Sequence, residues 1–158
     1  MKSQFQRSFR YDAWANSRVI ESLAATPAAS DEALPLLAHL LAAEHIWFCR
    51  LTGRAAEHEV FPSLTLDACR RLANANTAGY AELLAQATDD WLQSPVAYHN
   101  AAGLPFENRA ADILTHVVTH GPYHRGQIAK AIGRNGGQPT PTDYIVFARE
   151  QDGGPPVL

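Results

Sequence analysis

The stretch Asp112-Ile113-Leu114-Thr115-His116-Val117-Val118-Thr119-His120-Gly121-Pro122-Tyr123-His124-Arg125-Gly126-Gln127 decides how this chain folds. Ile113, Val117, Ile128 and Ile132 recur at helical spacing, so the pattern predicts one helix from about Asn108 to a stop at Gly133. Gly121-Pro122 interrupts that stripe. Proline removes a backbone donor and crowds the carbonyl four residues back, at Val118, which predicts a kink or a local widening that Gly121 makes easier. The other reading is a helix that starts at Gly121, with Pro122 at its first position. The stripe running unbroken from Ile113 to Val118 favours a single long helix, with the Gly-Pro pair helping to aim imidazoles.

Working towards the N-terminus, Val96-Ala97-Tyr98 and Leu104-Pro105-Phe106 flank Asn100-Ala101-Ala102-Gly103, the pattern of a small hairpin. A third helix is predicted from a cap at Ser63 or Thr65 through Leu72, Tyr80, Leu83 and Leu84 to Trp91, with Pro95 just beyond. Gly79 inside it costs about 1 kcal/mol relative to Ala. A second helix is predicted from Pro35 to Leu51, closed by Gly53. In the first, Phe5, Phe9, Ala13, Ile20 and Leu23 form a stripe that ends before Pro27. Beyond the fourth helix, Gly136-Gly137-Gln138-Pro139 reads as a turn, Thr142 to Arg149 as a short last helix, and residues 152–156 as a loose tail.

Composition agrees. The chain has 27 Ala against 13 Val plus Ile, which favours helix over strand. Four long amphipathic helices in 158 residues predict an all-α protein, a four-helix bundle in one domain over residues 1–158. The long link between helices three and four predicts a crossover connection.

The same figures exclude several function classes. The net charge is −3 and the 13 basic residues are scattered, so no nucleic-acid partner is expected. Cys49 and Cys69 are too few and too far apart for a disulfide scaffold or a thiolate metal cluster. No apolar run approaches the roughly 20 residues of a membrane span, since Leu34 to Ala43 is broken by Pro35 and His39. No apolar segment follows Lys2 and Arg7, so neither a secretory signal nor a membrane partner is expected, and the expected location is cytoplasmic.

Seven His stand out in a chain with 18% charged residues. His116, His120 and His124 recur every four residues. On a helix, i and i+4 differ by about 40° and about 6 Å of rise, so neighbouring pairs share a face and can converge on one metal ion. All three do not converge easily from one straight helix, because His116 and His124 are two turns apart. The third ligand should come from another helix, where His39 and His45 are the candidates. His39, among Leu36, Leu37 and Leu40, is preferred, although a core His is ordinarily just hydrogen-bonded.

Three segments carry a family resemblance. They are Tyr11-Asp12-Ala13-Trp14-Ala15-Asn16, Ala38 to Gly53 with His39, Trp47, Arg50 and Leu51, and His116 to Ile128 with His120, His124, Arg125, Gly126 and Gln127. In order and spacing they resemble the DinB-like (DinB/YfiT) family of metalloproteins, over nearly the whole chain. The resemblance implies a four-helix bundle with crossover topology, a homodimer, and a divalent metal, zinc or nickel, held by His39, His120 and His124. It gives His116 no ligand role and leaves it as a supporting residue, with Asp112 one turn away as its potential acceptor. It also implies a thiol-cofactor-dependent S-transferase or isomerase acting on a small-molecule substrate, with a low-molecular-weight thiol as co-reactant.

Three neutral imidazoles leave a coordination position open, as catalytic zinc sites do. The alternatives to thiol transfer are hydrolysis by water activated at that position and a stress-linked metal-binding protein without turnover. Glu44, Asp112, Tyr123 and Asp143 are the candidate general bases. Arg125, next to a ligand but about 100° around the helix, could reach a substrate anion or a dimer partner, or simply form a surface ion pair. Tyr11, Trp14 and Trp47 are read as core residues, with a pocket beside the metal as their alternative role.

Overall fold

The computed structural model describes residues 1–151 and 153. The expected loose tail, Gly153 excepted, lies outside the described residues. Helix α1 spans Lys2–Ala24 and buries Phe9, Ala15, Val19, Ile20 and Leu23. A short 3-10 turn, Pro27–Ala29, feeds directly into α2, Ser30–Thr52. Pro35 is therefore inside α2 and not at its start. The helix begins earlier because Asp31 and Glu32 favour its first turn, and the exposed Pro35 leaves water to satisfy the bond it cannot make. Gly53 closes α2 in the left-handed conformation, φ 67°.

Helix α3, Leu66–Gln86, starts at Thr65, whose hydroxyl accepts from the Ala68 amide. It stops short of the expected Trp91. Thr88 caps a new five-residue helix α4, Asp89–Gln93, by accepting from the Trp91 amide, and this local cap outcompetes continuation of the longer helix. Strands β1, Pro95–His99, and β2, Pro105–Arg109, pair antiparallel with Tyr98 opposite Phe106. Helix α5, Ala110–Arg134, runs unbroken through Gly121-Pro122, so no separate helix starts at Gly121. Helix α6, Tyr144–Gln151, is the short last helix.

Helix α2 packs on α3 and α5, and α1 packs on the same two, while α1 and α2 touch little. Consecutive helices α1 and α2 thus sit across the bundle from each other. The short turn from α1 to α2 and the link from α3 to α5, which carries α4 and the hairpin, therefore each cross the bundle. Among the described residues no helix is long and apolar enough to cross a membrane.

The core has two apolar regions with a polar layer between them. One holds Val19, Leu23, Leu37, Leu41, Leu72 and Ile132; the other holds Phe9, Leu51, Tyr80, Leu84, Leu114 and Val117. Burying each such Leu contributes about 1.5–3 kcal/mol. Between the two on every long helix falls a buried polar residue: Asp12 and Asn16 on α1, Glu44 on α2, Asn76 on α3 and Arg125 on α5. Buried groups of this kind are tolerated only when they satisfy one another.

Candidate metal centre

His39 on α2 and His120 and His124 on α5 bring one ring nitrogen each within 4.8 Å of the others. Two of the rings are held by their far nitrogens. His39 Nδ1 lies 2.7 Å from the Val60 carbonyl, which can only accept, so Nδ1 carries the proton and Nε2 keeps its lone pair. His124 Nδ1 donates in the same way to Gln127 Oε1 at 3.0 Å, leaving Nε2 unprotonated. His124 Nε2 and His120 Nε2 stand 3.0 Å apart. Two lone pairs at that distance repel unless a proton or a cation lies between them. Two ligands about 2.0–2.1 Å from a tetrahedral ion would be roughly 3.4 Å apart, close to what the rings already adopt. The donor set and its outer supports therefore fit a divalent cation.

The electrostatics favour neutral imidazoles, the form that binds metal. The pKa of His120 is pushed down to about 4, first by burial and then by His124, His116 and His39. That of His124 is lowered by burial and by His39, with the bond to Gln127 working in the other direction. Phe61, 72% exposed, stacks on His39 with ring centroids 4.2 Å apart. Tyr123, 66% exposed, sets its ring edge-on to His124 at 5.0 Å.

The model of the DinB family matches residues 1–155. The chain belongs to the DinB family. It is similar to Protein DinB of Bacillus subtilis (strain 168), at 34% identity over 56 residues. That match covers 35% of this chain and 33% of the relative, so the aligned part spans about a third of that protein. No solved structure matches.

In this DinB-family chain the other expected residues are placed as follows. His45 is turned away from the cluster, with Nε2 3.4 Å from Cys49 Sγ and its ring 5.2 Å from His58. His116 is exposed and packs 5.1 Å from Trp47 and 5.4 Å from His120. Asp112 does not serve it, because both carboxylate oxygens accept from Arg109. Trp47 is sandwiched among His116, Tyr98 and the Arg50 guanidinium, one step removed from the three His. Tyr11 and Trp14 pack with Phe147 and so hold α6 against α1, with Tyr11 buried and Trp14 half-buried.

Arg125 is neither on the surface nor free to reach a substrate or a second chain. It is 1% exposed and donates through Nη1 to Asp12 Oδ1 at 2.7 Å and to Asn16 Oδ1 at 2.8 Å. Asn16 Nδ2 in turn donates to Glu44 Oε1 at 2.8 Å, and Asn76 Nδ2 donates to Glu44 Oε2 and to the Leu41 carbonyl. Gly121 is required by this layer. A Cβ there would sit 2.7 Å from both Arg125 Nη1 and Asp12 Oδ1. Gly121 therefore makes room for the buried ion pair. Sequence reasoning missed Phe61 and Val60, which approach His39 only through the loop after α2. It missed Asn76 as well, although a lone Asn within the apolar stripe of α3 was a usable signal.

Proposed function

We propose that this DinB-family chain holds one divalent ion, zinc or nickel, on Nε2 of His39, His120 and His124, and transfers a low-molecular-weight thiol to an electrophilic small molecule. The convergence of three imidazoles, two of them with their far nitrogens already engaged, carries this reading. A bound ion would supply Lewis-acid stabilisation of the thiolate at the position the three His leave open. The chain's own residues would do the positioning. Val60 and Gln127 fix two ring orientations, and Phe61 and Tyr123 offer exposed aromatic walls beside the cluster for an apolar electrophile.

Thiol transfer is favoured over hydrolysis by the placement of two candidate bases. Asp112 is tied to Arg109, and Glu44 lies in the polar layer bonded to Asn16 and Asn76. A thiol gives up its proton far more readily than water, so at the same ion it depends less on a general base. The experiment is reconstitution with Zn or Ni, elemental analysis, and a conjugation assay with a panel of thiols and an activated aryl halide. About one ion per chain and metal-dependent conjugation are expected. Failure to take up either metal at neutral pH would overturn the site. Tight metal binding without conjugation would overturn the transferase reading and leave metal binding without turnover.

A further inference from the structure

A cavity of about 580 Å³ opens between α1 and α3 beneath α6, and none of the three clustered His lines it. Its size falls within the range of small-molecule sites. Its walls are aromatic, formed by Phe9, Trp14, Tyr80 and Phe147, and its floor is the buried polar layer, with Asp12, Glu44 and Asn76. We propose that this cavity is a second ligand site, one that takes a primary ammonium group carried on a small apolar or aromatic body.

Three observations carry it. The first is charge. Asp12 has Arg125 as its ion-pair partner, whereas Glu44, 4% exposed, accepts from the neutral amides of Asn16 and Asn76, neighbours Asp12, and has no ion-pair partner among the described residues. The layer thus holds two carboxyl groups against one guanidinium. Burial, and next the neighbouring Asp12, raise the pKa of Glu44 well above its ordinary value, which is the mark of a carboxyl short of a counter-charge. The second is an orphan acceptor. Asn76 lines the cavity and is 3% exposed, and its Oδ1 has no donor. Its amide orientation is fixed, because Nδ2 serves two acceptors, the Leu41 carbonyl and Glu44. An ammonium brings three donors and one positive charge, which matches a polar layer that holds a spare acceptor and a carboxyl without an ion-pair partner beside the cavity. The third is the wall chemistry. Aromatic faces attract a cation and bury its apolar body, and Arg10 lies exposed among the lining residues, where it repels a second cationic group or receives an anionic tail. This reading is independent of the three-His cluster and goes beyond the proposed transfer reaction.

The test is calorimetric titration of the full chain with phenethylammonium, with the uncharged phenethyl alcohol as comparison. Saturable binding of the amine and at least tenfold weaker binding of the alcohol are expected, the scale of one lost charge-assisted contact. Glu44→Gln should weaken the amine about tenfold or more. Ala81→Trp, on an exposed position of the lining, should block the cavity without touching the buried layer, and it serves as the test should Glu44→Gln fail to fold. His124→Ala should leave amine binding intact. Equal binding of the alcohol, binding that survives Ala81→Trp, loss of binding in His124→Ala, or no binding at millimolar amine would each overturn the proposal.

Discussion

Arg125 Nη1 donates to Asp12 Oδ1 at 2.7 Å, with both side chains buried, one residue along the helix from His124. The ion pair ties α5 to α1 on the inward side of α5, while His120 and His124 meet α2 on another. Removing one member leaves the other charged and unpaired in the core. Arg125→Met is therefore expected to cost about 3–5 kcal/mol in urea-induced unfolding. A loss under about 1 kcal/mol would mean that the pair is hydrated and carries little.

Gly121 and Gly126 lie on the same helix and should respond oppositely to alanine. A Cβ at Gly121 meets Arg125 and Asp12 at 2.7 Å, whereas a Cβ at Gly126 meets nothing within 4 Å. Gly121→Ala is expected to destabilise by about 1–3 kcal/mol through overpacking. Gly126→Ala is expected to stabilise by about 0.5–1 kcal/mol through helix propensity. Thermal unfolding of the two variants checks the contrast, and equal effects would contradict it.

Metal affinity should follow the hydrogen-bonded cluster and not the histidine count. His124→Ala should abolish stoichiometric uptake. Gln127→Ala, which only frees the His124 ring, should weaken binding by about 10–100-fold. His58→Ala and His99→Ala should leave it unchanged. Competition with a chromogenic chelator reads all four, and a loss in His58→Ala equal to that in His124→Ala would show that the wrong nitrogens had been assigned.

The pH dependence of the metal-free protein has a defined sign at His120. Its folded pKa is pushed down to about 4 against an ordinary 6.5, so between these values the unfolded chain binds a proton that the native state does not. That contribution is complete above about pH 6.5 and is lost as pH falls towards 4. Glu44 works in the opposite sense, because its raised pKa lets the native state keep a proton as pH rises. Comparing urea midpoints of wild type and His120→Gln from pH 7 to 4 isolates the histidine. The wild type should fall more steeply, and parallel curves would refute the assignment.

Much of this was legible in the chain. Apolar spacing located the four long helices, Gly53 marked the end of α2, and Asn100 to Gly103 marked the hairpin turn. Boundaries that hinge on competing caps were less legible. Thr88 restarts a helix by bonding the Trp91 amide, and Pro35 is absorbed into α2 because it faces solvent. Both outcomes turn on a side-chain bond or an exposure that periodicity does not register.

The sequence by itself determined the helical class and the i,i+4 pairing of His120 with His124, because both depend on the local geometry of 3.6 residues per turn. His39 was preferred over His45 by its apolar neighbours and by family resemblance, and the structure sets His45 against Cys49 and His58 instead. Only the tertiary structure decided where Arg125 points. A charged residue next to a ligand reads as a surface or substrate contact until Asp12 and Asn16, more than a hundred positions away, are seen to meet it in the core. Local spacing fixes which face a side chain takes. What waits on that face is set by how the helices pack, and no period of the sequence encodes it.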